Sequence, residues 1–81
     1  MKIRTQTLEA LAKQLLTERK RQGLSRAQAS SVCNVSESFI RDAESTPARC
    51  SLGIMVKLIN GLGLTVKIEG WQEADDEAKK A

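Results

Sequence analysis

The chain has 81 residues, enough for one domain but for only a modest core, so a partner subunit is expected to add stability. Lys and Arg number 13 against 10 Asp and Glu, a net charge of +3 that hints only weakly at a nucleic-acid partner. There is no histidine, no paired-cysteine site, no glycine-rich phosphate loop and no apolar run of membrane length, so no standard zinc site, catalytic constellation or bilayer span can be assembled. A non-enzymatic cytoplasmic protein without cofactors is expected, with Cys33 and Cys50 as reduced structural thiols.

The spacing of Leu8, Leu11, Ala12, Leu15 and Arg19 predicts a first helix over Thr7–Gln22, capped by Thr7 and ended by Gly23. Ser25 predicts the cap of a short second helix, Arg26–Cys33, with Ala29, Val32 and Cys33 as its apolar positions. Asn34 tolerates positive φ and can make a tight turn, with Val35 anchoring it. Ser36 then caps a third helix, Glu37 to about Glu44, with Ile40 and Ala43 inward.

Ser45–Cys50, holding the only proline, reads as a loop. Ser51 caps a fourth helix from Leu52 to about Leu62, with Leu52, Met55, Val56, Ile59 and Leu62 facing the core and Gly61 and Gly63 weakening its end. The alternation from Leu64 to Glu69 predicts a half-buried strand. The fold class is therefore all-α, a four-to-five-helix helix-turn-helix domain over residues 1–70 with one short C-terminal strand, followed by a flexible tail, 71–81.

A lone strand leaves its backbone groups unpaired, which predicts pairing with a second copy through Leu64, Val66 and Ile68, or with Lys2-Ile3-Arg4. The unit from Gly23 to Glu44 is helix, tight turn, helix, a layout in which the second helix can project into a major groove. Its outward positions are Glu37, Ser38, Arg41 and Asp42, beside the capping Ser36. Arg41 is the strongest candidate for reading guanine, with Arg26 a second. Arg26 and Arg49 are candidate phosphate contacts, with the backbone amides at the start of the second helix. Glu37 and Asp42 are either solvated charges or groups that accept from cytosine or steady an arginine. Phe39 is expected to pack beside the second helix, with base stacking as the alternative.

The stretch Gly-Leu-Ser-Arg-Ala-Gln-Ala-Ser-Ser-Val-Cys-Asn-Val-Ser-Glu-Ser-Phe-Ile-Arg-Asp-Ala-Glu resembles the helix-turn-helix of the Xre/Cro family of phage-type regulators. The match lies at Gly23, Leu24, Val35, Ser36, Ile40 and Glu44, with Ser25 standing for Thr and Asn34 for Gly. Arg26 departs from the usual Gln, and Ala29-Ser30 from the usual Leu-Ala. The resemblance implies a partly buried ion pair between Arg19 and Glu44, both of which lie in line with core residues of their helices.

Ser51-Leu52 opening the fourth helix, with an apolar strand directly after it, is more similar to the HipB-type antitoxins. That resemblance implies a homodimer with strands paired across the two-fold, a repressor binding double-stranded operator DNA, and a kinase-like toxin as protein partner. A protein-binding antitoxin or adaptor, or a phage-type repressor without a toxin, is the alternative. In that rival reading Trp71 and the strand form the working surface, while Trp71 otherwise covers the dimer seam or belongs to the tail.

Overall fold

A computed structural model describes residues 2–68 and Gly70. A 3-10 turn, Thr5–Thr7, leads into α1 (Leu8–Arg21); α2 (Arg26–Cys33) and α3 (Glu37–Ser45) follow, then a second 3-10 turn, Pro47–Arg49, and α4 (Leu52–Gly61). α1 packs on α3 and on the second 3-10 turn, while α2 packs on both α3 and α4.

Serines start three of the four helices. The hydroxyls of Ser25, Ser36 and Ser51 accept the backbone N–H groups of Gln28, Phe39 and Ile54, so each satisfies one of the orphan donors of a first helical turn. At α2 the Gln28 side chain also accepts from the Ser25 N–H at 2.8 Å, completing a capping box. α1 differs from expectation. Thr7 sits at φ −106 and ψ 9, not in the extended conformation a capping residue needs, because the 3-10 turn runs straight into the helix. Its hydroxyl accepts instead from the Arg4 N–H at 2.6 Å, inside that turn.

Three helix ends share one construction. Gly23, Asn34 and Gly63 take positive φ (72, 57 and 86). The next residue then donates its N–H to the carbonyl five positions back: Leu24 to Arg19 at 3.1 Å, Val35 to Ser30 at 3.2 Å and Leu64 to Ile59 at 3.0 Å. The left-handed residue turns the chain while orphan carbonyls stay bonded. At Asn34 the Ser30 hydroxyl adds a bond to the Val35 carbonyl, which locks the turn between α2 and α3.

The core joins all four helices through Leu15, Ala29, Cys33, Ile40, Ala43, Met55, Leu58, Ile59 and Leu62. Leu52, expected to face the core, is 76% exposed, and Val32, an apolar position of α2, is 59% exposed. Ala29 and Cys33, four apart, form the buried line of α2, and Val32 falls to its flank. In α4 the buried stripe is Met55, Leu58, Ile59 and Leu62, so Leu58 takes the inner place and Val56 is only half-buried. Leu52 lies one turn beyond the edge of what this single chain can cover.

Gly61 does more than weaken a helix end. A Cβ there would lie 2.5 Å from Cys33 Sγ and 2.8 Å from Cys33 Cα, so α2 and α4 approach this closely only because residue 61 has no side chain. Burial pushes the Cys33 thiol up from its ordinary range, so it packs as a small apolar group. The chain ends of α1 and α4 are tied by Gln22, whose amide donates to the Leu62 carbonyl at 2.7 Å and to Glu18 Oε2 at 2.8 Å. Hydrogen bonds from Arg21 and then Gln22 hold the Glu18 carboxyl at about 2.

Residues 64–68 form no strand, and there is no strand among the described residues. The apolar alternation is present, but strand structure needs a second backbone to bond to. Neither the Lys2–Arg4 stretch nor any other described segment pairs with it in a ladder. Glu69, Trp71 and the rest of the expected tail lie outside the described residues.

Among the described residues a charged pair, Arg19 and Glu44, holds its side chains in the interior. Arg19 on α1 is 7% exposed. Its Nε donates to Glu44 Oε2 on α3 at 2.7 Å, its Nη2 to Glu44 Oε1 at 3.3 Å and its Nη1 to the Leu24 carbonyl at 2.8 Å. One guanidinium thus bonds α3 and the turn before α2 at once.

Two outcomes follow for stability. Arg19→Ala removes the two-oxygen grip on the buried Glu44 carboxylate, leaving it the half-exposed Arg26 alone, and should lower unfolding free energy by up to ~3–5 kcal/mol in denaturant titration. An unchanged midpoint would show that the pair is dispensable. Gly61→Ala should cost ~1–3 kcal/mol through overpacking, and adding Cys33→Ala should restore only part of it, because the Cys33 Cα clash stays.

Candidate nucleic-acid interface

α3 is sorted sharply by period. Ile40 and Ala43 are buried, while Glu37, Ser38, Arg41 and Asp42 are exposed. The inner pair and the Arg19–Glu44 bond hold the helix by its back and leave its polar face to solvent. The hydroxyl of Ser36 is occupied: it caps Phe39 N–H at 3.0 Å and lies 3.2 Å from the Ser38 hydroxyl. Arg41 Nε is 4.0 Å from Asp42 Oδ1, at the limit of an ion pair, with both side chains more than half exposed. An exposed contact of that length costs little to break, so the Arg41 fork is available to an outside acceptor and Asp42 can steady it.

Arg49 stands exposed in the 3-10 turn after α3. With Phe39, Asp42, Thr46, Cys50, Ser51 and Ile54 it rims a shallow hollow where α3 meets the start of α4. Phe39 is half-buried and packs on the core, lining this hollow. Burial, and then the Asp42 carboxylate, push the Cys50 thiol up, which works against thiolate chemistry there.

Arg26 lies at the first position of α2, and its Nε donates to Glu44 Oε1 at 3.1 Å. Glu44 therefore holds two guanidiniums. From the sequence, Arg26 is expected on DNA and Glu44 on Arg19 alone. The missing contact spans 18 residues between two helices, and no local pattern announces it. At the start of α2, the Gln28 N–H is taken by Ser25, which leaves the Arg26 and Ala27 N–H groups as the amides open to an anion.

Leu64 is half-buried against the core, whereas Val66 is 38% and Ile68 70% exposed. They line an apolar groove with Ile3, Leu52 and Ile59, flanked by the cationic Lys2, Arg4 and Lys67. No described helix is long and apolar enough to cross a membrane, and no group of three potential metal ligands occurs among the described residues.

No protein-family model matches the chain, and no curated protein matches it in sequence. Solved structures do match. A chain of a HipA-HipB-O2-O3 complex superposes with a TM-score of 0.73 at 18% identity, covering 89% of this chain and 99% of that one. A HipB(S29A)-O2 20mer complex gives 0.73 at 19% identity over 89% and 97% of the two chains. A HipB-O1-O2 complex gives 0.72 at 19% over 84% and 96%. The chain thus has the all-helical fold seen in the HipB structures, matched over nearly their whole length.

Proposed function

We propose that this protein is a sequence-specific DNA-binding repressor that acts as a homodimer, and that it is the antitoxin half of a toxin–antitoxin pair. The observation that carries the reading is the back-anchored α3, with a polar, solvent-facing surface of Glu37, Ser38, Arg41 and Asp42 and no competing use for it. The fold shared with HipB supports it, since the solved relatives are DNA complexes and one includes HipA.

In this reading two copies present α3 to successive major grooves about one DNA turn apart. Arg41 reads a base edge, with Asp42 or Glu37 steadying it. Ser38 contributes a hydroxyl near the groove floor, and Ser36, whose hydroxyl caps the helix, stands beside it. Arg49, on the turn after α3, meets a backbone phosphate. Leu64, Val66 and Ile68 make the dimer contact, supplying the cover that the groove beside Ile3 and Leu52 lacks in one chain. A kinase-like toxin is the proposed protein partner. The rival reading, a module that works only by holding a protein, draws on that same apolar groove.

Two measurements test the proposal. In gel shifts with duplex from upstream of its own coding sequence, the parent should bind, and Arg41→Ala should lose ~1–3 kcal/mol with relaxed preference at one base pair. Failure of the parent to bind any upstream duplex would favour the protein-holding module. Light scattering should show a dimer for the parent at micromolar concentration and a monomer for Val66→Pro, whose ring removes a ladder donor; a monomeric parent would remove the dimer from the reading.

A further inference from the structure

Glu44 accepts from two arginines, and the two are not equivalent. Arg19 is buried and grips both carboxylate oxygens, so one buried cation already balances the one buried anion. Arg26 adds a second positive charge, and its side chain remains 45% exposed. Three charged groups therefore leave a net +1, carried on the surface member. A second cation drawn to an already neutralised carboxylate gains little for stability, which raises the question of what it does there.

The geometry narrows the answer. Only the Nε of Arg26 is bonded, to Glu44 Oε1 at 3.1 Å, and among the described residues neither Nη has a partner. A guanidinium held by its Nε keeps its far edge, two parallel N–H groups, pointed outward in a fixed plane. That edge matches a phosphate. Its place relative to α3 also favours phosphate over base. Glu44 is seven residues after Glu37, about 10 Å along the helix axis, and bases are read from the N-terminal part of a recognition helix. With the start of α3 at the bases, its far end would lie toward the groove wall, where the backbone runs.

We propose that Glu44 is a positioning residue that aims the Arg26 guanidinium at a DNA backbone phosphate, so the same carboxylate that anchors α3 to α1 also sets the register of the duplex against it. This rests on the DNA-binding reading above. It gives the Arg26 position, where related regulators carry Gln, a contact that a neutral amide cannot supply with the same charge.

The test compares the parent, Arg26→Ala and Arg26→Lys on the upstream duplex and on a random-sequence duplex of equal length, across a salt series, with thermal melts alongside. Arg26→Ala should weaken both duplexes by a similar factor, on the order of tenfold, and lower the slope of log affinity against log salt by about one. Arg26→Lys keeps the charge but not the Nε anchor. It should retain the parent's slope yet bind several-fold more weakly, a signature that a merely structural arginine would not give. Melting temperatures should stay close to the parent's. Arg26→Lys binding as tightly as the parent would overturn the positioning role, and loss confined to one base pair of the upstream duplex would overturn the phosphate assignment. A parent that binds while Arg26→Ala binds equally well sinks this inference alone; a parent that binds neither duplex sinks the DNA-binding reading with it.

Discussion

The bond between Arg19 and Glu44 is the constraint on which the rest of the structure depends. α3 is nine residues long, and only Ile40 and Ala43 on it are fully buried. Ile40, Ala43 and the half-buried Phe39 make a small apolar contact for fixing the orientation of a helix about its own axis. The fork of Arg19 on both oxygens of Glu44 supplies the missing rotational restraint, and the third bond, to the Leu24 carbonyl, ties the start of the α2–α3 unit to the same point. A buried ion pair of this kind contributes less net stability than its geometry suggests, because both charges were desolvated to make it. Its value here lies in direction: it decides which face of α3 meets solvent.

Close approach of α2 to the rest of the core depends on small residues. Ala29 and Ala43 are fully buried, and Gly61 meets Cys33 at a distance that no Cβ would allow. Small side chains at these crossings let helices of only eight to ten residues share one core, at the cost of the bulk that larger residues would bury. The core that results is thin, and apolar residues spill beyond it. Leu52, Ile3, Val66 and Ile68 stay exposed along one groove. A patch of that kind on a small domain is the expected mark of a surface meant for a partner.

Charge is distributed in keeping with the same division. Arg19, Lys20 and Arg21 close α1, where cations favour the helix C-terminus, and Glu37 opens α3, where an anion favours the N-terminus. The modest excess of positive charge is thus partly spent on helix ends and on the interior. Arg26, Arg41 and Arg49 stand exposed on or beside α3, while Lys2, Arg4, Lys13, Lys57 and Lys67 are exposed elsewhere on the surface.

What the sequence by itself determined is local. Ser25, Ser36 and Ser51 as caps, Gly23 and Asn34 as left-handed turns, and the buried line of Ile40 and Ala43 were all legible, because each depends on hydrogen bonds or periodicity within a few residues. Even Arg19 and Glu44 were marked by falling in line with apolar neighbours. Packing decided the rest. Leu58 displaced Leu52 because the buried stripe of α4 is set by where the other helices stop. Thr7 lost its capping place to a 3-10 turn that continues into α1. The 64–68 segment has strand composition without a strand, since a ladder needs a second backbone. Arg26 found Glu44 only when α2 and α3 crossed, and Gly61 met Cys33 only when α2 and α4 did. Contacts between residues 18 or 28 apart leave no periodic trace in a chain; they exist only once the helices have chosen their angles.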